Sequence, residues 1–120
     1  MSASTPPMHE MSLCEGLVQS LEEQAMTQGF HKIFAVWLEI GALATVEPDA
    51  MLFNYDIVAR GTVAEGSKLE IIAVPGKAWC MNCSTPVTIS RHGDACPACG
   101  SYQLQLLDGE QMRIKQIEVA

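Results

Sequence analysis

Apolar residues recur at three- and four-residue spacing at Leu17, Val18, Leu21, Ala25 and Met26, the signature of an amphipathic helix. Ser12 precedes Glu15 by three positions, the arrangement of a capping box in which the serine accepts from the Glu15 N–H and the glutamate reaches back. The pattern predicts a helix over residues 13–28, stopped by Gly29. Residues 33–40 are β-branched and aromatic, short, and closed by Gly41, which predicts a strand buried on both faces for most of its length. Pro48 suits a first helical position, and Asp49 falls in the first turn, where the helix dipole favours an anion. Met51, Leu52, Tyr55, Val58 and Ala59 follow at helical spacing up to Gly61, and residues 68–74 read as a second strand. Strand, helix, strand predicts a right-handed βαβ unit with parallel strands.

The pattern breaks at Pro75-Gly76. Residues 78–100 are rich in Cys, Pro, Gly, Ser and Asn and carry no apolar periodicity, so they form a satellite. Two strand-like pieces follow at 102–107 and 111–119. In the last, the alternation of Met112, Ile114, Ile117 and Val119 slips between Ile114 and Ile117, as a bulge would cause. If this strand returns to the first sheet, the satellite is an insertion. The expected class is α+β: a small mixed β-sheet packed with two α-helices, in the order α-β-α-β…β, plus an inserted zinc-ribbon-like module of four cysteines. Residues 1–7, small, polar and proline-ended, read as a disordered leader with Met8 as an alternative start. Residues 8–76 with 101–120 form the main domain, and 77–100 the metal-binding one.

Composition narrows the class. The 120 residues carry 14 acidic and 7 basic side chains, a formal net charge of -7, with 48% hydrophobic residues. That is a folded chain, and its charge argues against binding phosphate backbones. No apolar run approaches the roughly 18 residues of a membrane span, and residues 1–7 lack the basic and apolar regions of a secretory signal. A cytoplasmic location is the default expectation, in which cysteines serve as thiols or metal ligands rather than disulfides.

Cys80-Met-Asn-Cys83 and Cys96-Pro-Ala-Cys99 are two Cys-x2-Cys pairs. This spacing lets a tight turn aim two sulfurs at one ion while backbone N–H groups donate to the thiolates. Gly100 relieves the positive φ that such a knuckle requires, and Pro97 stiffens it, whereas Ser84 stands where the first knuckle would want glycine. Two facing knuckles make a closed site of four sulfurs, which favours structural Zn²⁺ held by Cys80, Cys83, Cys96 and Cys99. Iron in a rubredoxin-like electron carrier uses the same four thiolates. A thioredoxin-like dithiol lacks its strand–helix context. His92 reads as a solvated loop residue and Cys14 as a buried thiol on the first helix. A zinc-ribbon nucleic-acid or protein-interaction module is the other class, though the satellite offers only Arg91 and Trp79 toward nucleic acid. No phosphate-binding glycine loop, nucleophile elbow or catalytic carboxylate pair is visible, so no enzymatic activity is expected.

Met8-His9-Glu10 before a hydroxyl-capped helix, then Val36-Trp-Leu-Glu-Ile-Gly41, Val46-Glu-Pro48, Phe53, Arg60-Gly-Thr-Val-Ala-Glu-Gly66 and the two cysteine pairs together resemble the HypA/HybF family. These are nickel-insertion accessory proteins of nickel–iron hydrogenase maturation, and the resemblance runs from Met8 to about Val119. It implies a nickel metallochaperone, not an enzyme, with Ni²⁺ as transient cargo. His9 would supply the nickel-binding imidazole, backbone nitrogens around Met8, His9 and Glu10 would complete the site, and the Glu10 side chain would tune it. Low-spin Ni²⁺ favours such square-planar nitrogen ligands. The implied partners are the nickel-handling GTPase HypB and the hydrogenase large-subunit precursor, with neither nucleic acid nor membrane, and the chain is compatible with a homo-oligomer. In the family the methionine normally starts the chain and offers a free amine. Here Pro7 is acylated onto that nitrogen, so an amide replaces the amine unless the chain starts at Met8.

Overall fold

The computed structural model describes residues 6–120, so most of the expected leader, residues 1–5, lies outside the described residues. The elements are α1 (Pro6–Gln28), β1 (Ile33–Gly41), α2 (Pro48–Val58), β2 (Lys68–Val74), β3 (Gly76–Cys80), β4 (Thr85–Ile89), β5 (Leu104–Asp108) and β6 (Met112–Val119). They build two three-stranded sheets, ordered β2-β1-β6 and β4-β3-β5. The class is α+β, as the sequence predicts, and β6 does return beside β1, which makes β3 to β5 an insertion. Backbone bonds at the two ends of β1, His31 N–H to Ala120 O and Gly41 N–H to Gln111 O, run β6 antiparallel to it. At the same two ends, Ile33 N–H donates to Val63 O and Ala42 N–H to Val74 O, so β2 follows the direction of β1.

The chain divides into two compact units, one of residues up to Leu38 with 46–71 and 114–120, the other of 39–45 with 72–113. The first unit holds α1 and α2. Helix α1 starts at Pro6, not at residue 13, because the Pro6-Pro7 pair supplies the fixed φ and missing N–H that suit a first turn. Ser12 is therefore an exposed residue inside the helix and caps nothing. The buried face of α1 runs Glu10, Cys14, Leu17, Val18 and Leu21, one turn earlier than predicted, which leaves Met26 86% exposed. Helix α2 answers with Met51, Asn54 and Tyr55. Burying each large apolar side chain is worth about 1.5–3 kcal/mol, so this seam dominates the unit's stability. The Tyr55 hydroxyl and Ser67 Oγ, 2.5 Å apart, satisfy each other within it. Strand β1 is buried along most of its length, with Phe34 outside beneath the Lys32 ammonium. In β6 the partly buried positions are 112, 114 and 117, the phase slip expected there.

The second unit is wider than the 77–100 satellite. Strand β3 pairs antiparallel with β4, Trp79 opposite Pro86, and with β5, Cys80 opposite Leu104, so β5 belongs with the cysteines. Leu43, Ala78 and Ile89 form its small core, with Val87 and Leu104 packed on it, apolar pieces too scattered to show a period. Gly41 and Gly109 are required by close approach: a Cβ on Gly41 would strike the Gly109 carbonyl.

Candidate metal centres

Strand β3 delivers Cys80 to the end of the second sheet, and the turn before β4 folds Cys83 back beside it. The Cys83 N–H donates to Cys80 Sγ at 3.3 Å and the Ser84 N–H to Cys80 O at 2.8 Å. The second pair repeats this, with the Ala98 N–H donating to Cys96 Sγ at 3.4 Å and the Gly100 N–H to Cys96 O at 2.8 Å. Each knuckle ends in a left-handed residue, Ser84 at φ 54° and Gly100 at φ 79°. The serine tolerates by strain what the glycine does freely.

The two knuckles face each other. Cys80 and Cys99 sulfurs are 3.7 Å apart, Cys83 and Cys96 sulfurs 4.0 Å, and all four lie within 4.8 Å. Four sulfurs placed tetrahedrally about 2.3 Å from one Zn²⁺ would stand about 3.8 Å from each other, so the quartet fits that ion. Hydrogen bonds from the Asn82 side chain and the Ser101 backbone bring the Cys99 thiol down to about 6. Cys83, facing the sulfurs of Cys99 and Cys80, is pushed up to about 12. A divalent ion would remove this asymmetry by holding all four as thiolates.

Met8, His9 and Glu10 lie inside α1 rather than ahead of its cap. The His9 side chain is exposed, whereas Glu10 is 1% exposed. Glu10 turns inward, and its Oε2 accepts from the Glu47 N–H at 3.0 Å. Glu47 is the N-cap residue of α2 and has no side-chain cap of its own. The other carboxylate oxygen, Oε1, has no hydrogen-bond partner among the described residues. The structure therefore separates two neighbours the sequence treats as one motif: an accessible imidazole and a buried carboxylate that ties α1 to the start of α2. Sequence reasoning includes Glu47 only within the Val46-Glu-Pro48 stretch and assigns it no role, its one local signal being its place before Pro48.

Cys14 is buried, as expected, and its thiol donates to Met51 O at 3.4 Å. Burial, reinforced by Glu10 and Glu15, raises its pKa from 9.0 to about 11. His92 is an exposed loop residue, as expected, and its Nε2 lies 2.9 Å from Leu43 O and 3.5 Å from Glu110 Oε2. It is not a member of the sulfur quartet.

Comparison with known proteins places this geometry. The family described as hydrogenase/urease nickel incorporation, metallochaperone, HypA matches residues 8–119. Hydrogenase maturation factor HypA of Acidithiobacillus ferrooxidans is 58% identical over 112 residues, covering 93% of this chain and 99% of that protein. The Azotobacter vinelandii protein of the same name is 52% identical over the same coverage. Among solved structures, the nickel metallochaperone HypA from Helicobacter pylori shares the fold at TM-score 0.66 and 22% identity, over 92% of this chain and 96% of that one. A second HypA solution structure gives TM-score 0.69 at 23% identity, over 94% and 97%. The chain belongs to the HypA family of nickel-incorporation metallochaperones, maturation factors rather than enzymes.

Proposed function

We propose that this protein holds Ni²⁺ transiently at its Met8-His9-Glu10 end and passes it to the large-subunit precursor of a nickel–iron hydrogenase, working with the nickel-handling GTPase HypB. The observation that carries this reading is the family match over residues 8–119, which takes in both the Met-His-Glu segment and the four cysteines. The exposure of His9 supports it, since the imidazole is accessible to an incoming ion. Cys80, Cys83, Cys96 and Cys99 would hold Zn²⁺ as a structural ion: four thiolates close the coordination shell and leave no position for chemistry. Zinc there supplies folding energy and shapes the second unit, and nickel is cargo.

Nickel titration followed by metal analysis tests this. The full chain should take up one Ni²⁺ beyond its cysteine-bound ion, and His9→Ala should lose that uptake while keeping the other metal. Unchanged nickel stoichiometry in His9→Ala would overturn the assignment. A chain starting at Met8 should bind Ni²⁺ more tightly than the full chain, because a free amine replaces an amide that must lose a proton.

A further inference from the structure

The four cysteines of the second unit meet solvent unequally. Cys80 is wholly buried and Cys96 is 2% exposed, Cys83 is half-buried, and Cys99 is exposed. The buried pair also anchors the two turns. Cys80 ends β3, paired with Thr85 on one side and Leu104 on the other, and its sulfur accepts the Cys83 N–H. Cys96 donates its N–H to Ser101 O at 2.8 Å, and its sulfur accepts the Ala98 N–H. Cys99 stands instead in an exposed run, Pro97-Ala-Cys-Gly100, and joins the quartet from the surface, its sulfur 3.7 Å from that of Cys80.

Four sulfurs leave an enclosed ion no open position, so exchange must begin with the departure of one of them. Departure of a buried sulfur strands an ionised thiolate away from water, with nothing able to take its place on the ion, and an unpaired buried charge is the costlier state. An exposed sulfur departs into water, and an incoming ligand can follow it. We infer that the metal centre opens at Cys99. This is the sulfur that a competing thiol or chelator displaces and that a soft electrophile alkylates, while Cys80, Cys83 and Cys96 keep the ion. In displacement by a thiol, the bond from the ion to Cys99 breaks as one to the incoming sulfur forms. The incoming thiol's proton passes to the released Cys99 thiolate, and no electrons are transferred. In alkylation by a maleimide, a carbon–sulfur bond forms at Cys99 and the neighbouring ring carbon takes a proton from water. The inference rests on the reading of the quartet as a Zn²⁺ site and goes beyond it by ranking the four ligands.

Metal analysis of the isolated full chain comes first: without an ion at the quartet, the zinc reading fails and this inference with it. The metal-loaded chain is then treated with substoichiometric N-ethylmaleimide, and the adducts are mapped by peptide mass. Cys99 should carry the adduct about tenfold more often than any other cysteine, with buried Cys14 unlabelled as the control. Chemical rescue is an independent measure. Cys99→Ala opens a position at the surface, so 2-mercaptoethanol should fill it and slow metal loss to a chelator about tenfold. Cys80→Ala opens a position inside the protein, and the thiol should leave its metal loss unchanged. If Cys80→Ala retains no metal, Cys83→Ala takes its place and should be rescued less than Cys99→Ala. With the ion bound, a first adduct on Cys83, even labelling of the four cysteines, or equal rescue of the two variants overturns Cys99 as the opening and leaves the zinc reading standing.

Discussion

The Glu10 carboxylate accepts the backbone N–H of Glu47 at 3.0 Å, a bond spanning 37 positions of the chain. It does for α2 what the N3 glutamate of a capping box does locally, accepting the N–H of the N-cap residue, and it does so from the turn of α1 that carries His9. The bond is partly buried and the Glu10 side chain itself is 1% exposed, so water replaces it poorly when it is lost. Glu10→Ala should lower stability by about 1–3 kcal/mol in urea unfolding and speed amide exchange at Glu47. Glu10→Gln keeps an acceptor oxygen and should fall between. An unchanged urea midpoint for Glu10→Ala would show that the bond contributes nothing.

The nickel capture proposed for this end would compete with the helix. Of the backbone nitrogens proposed as ligands, those of Met8 and His9 are among the first four of α1, which lack an intrahelical partner, whereas that of Glu10 lies past them and cannot both bind nickel and donate along the helix. Loading with Ni²⁺ should therefore reduce helical circular dichroism slightly and weaken the Glu10–Glu47 bond. Each deprotonated amide releases one proton, so affinity should rise about tenfold per pH unit per amide proton displaced. A pH-independent nickel affinity, with α1 signals unmoved, would leave only the His9 side chain as a ligand.

Local features are legible in the sequence and most non-local ones are not, the return of β6 beside β1 being the exception. The sulfur quartet can be read because each Cys-x2-Cys turn is made within a few residues, and the same holds for Gly29, Pro48 and strand β1. The start of α1 differs from its expectation because Ser12 and Glu15 offer a capping box while Pro6-Pro7, further upstream, offers a better first position. Carrying the apolar phase back from Leu21 through Leu17 and Cys14 reaches Glu10, so its burial comes within reach once the helix begins early enough. Its partner Glu47 does not, since nothing local marks a backbone N–H as the acceptor's target. Strands β3 and β4 escape for a similar reason: their core is three residues drawn from separate segments.

Cys14 should give the fold a specific alkaline weakness. Its folded pKa is about 11 against an ordinary 9.0, raised by burial and then by Glu10 and Glu15. A thiol held protonated in the folded state contributes stability below pH 9 that is lost as pH rises from about 9 to 11, since the unfolded thiol ionises first. The loss is at most about 3 kcal/mol at 1.36 kcal/mol per unit. Unfolding of the native chain between pH 8 and 11, compared with Cys14→Ala, should show this extra slope in the native chain alone. Parallel curves would mean that the thiol is not held neutral by the core.

The two knuckles should respond oppositely to the gain and the loss of a glycine. Ser84 and Gly100 occupy equivalent left-handed positions, at φ 54° and 79°, each following a cysteine and each donating its N–H to the first cysteine's carbonyl. A side chain at such φ costs about 1–2 kcal/mol, partly offset because glycine loses more freedom on folding. Ser84→Gly should therefore stabilise the first knuckle by up to about 1 kcal/mol, and Gly100→Ala should destabilise the second by about 1 kcal/mol. A metal held by the four cysteines would couple to the folding of this unit, so both changes should appear as shifts in the chelator concentration that strips half the metal. Ser84→Gly should need more chelator and Gly100→Ala less. Should Ser84→Gly release metal more easily than the native chain, the serine hydroxyl would have to be holding the turn by a bond stronger than the strain it relieves.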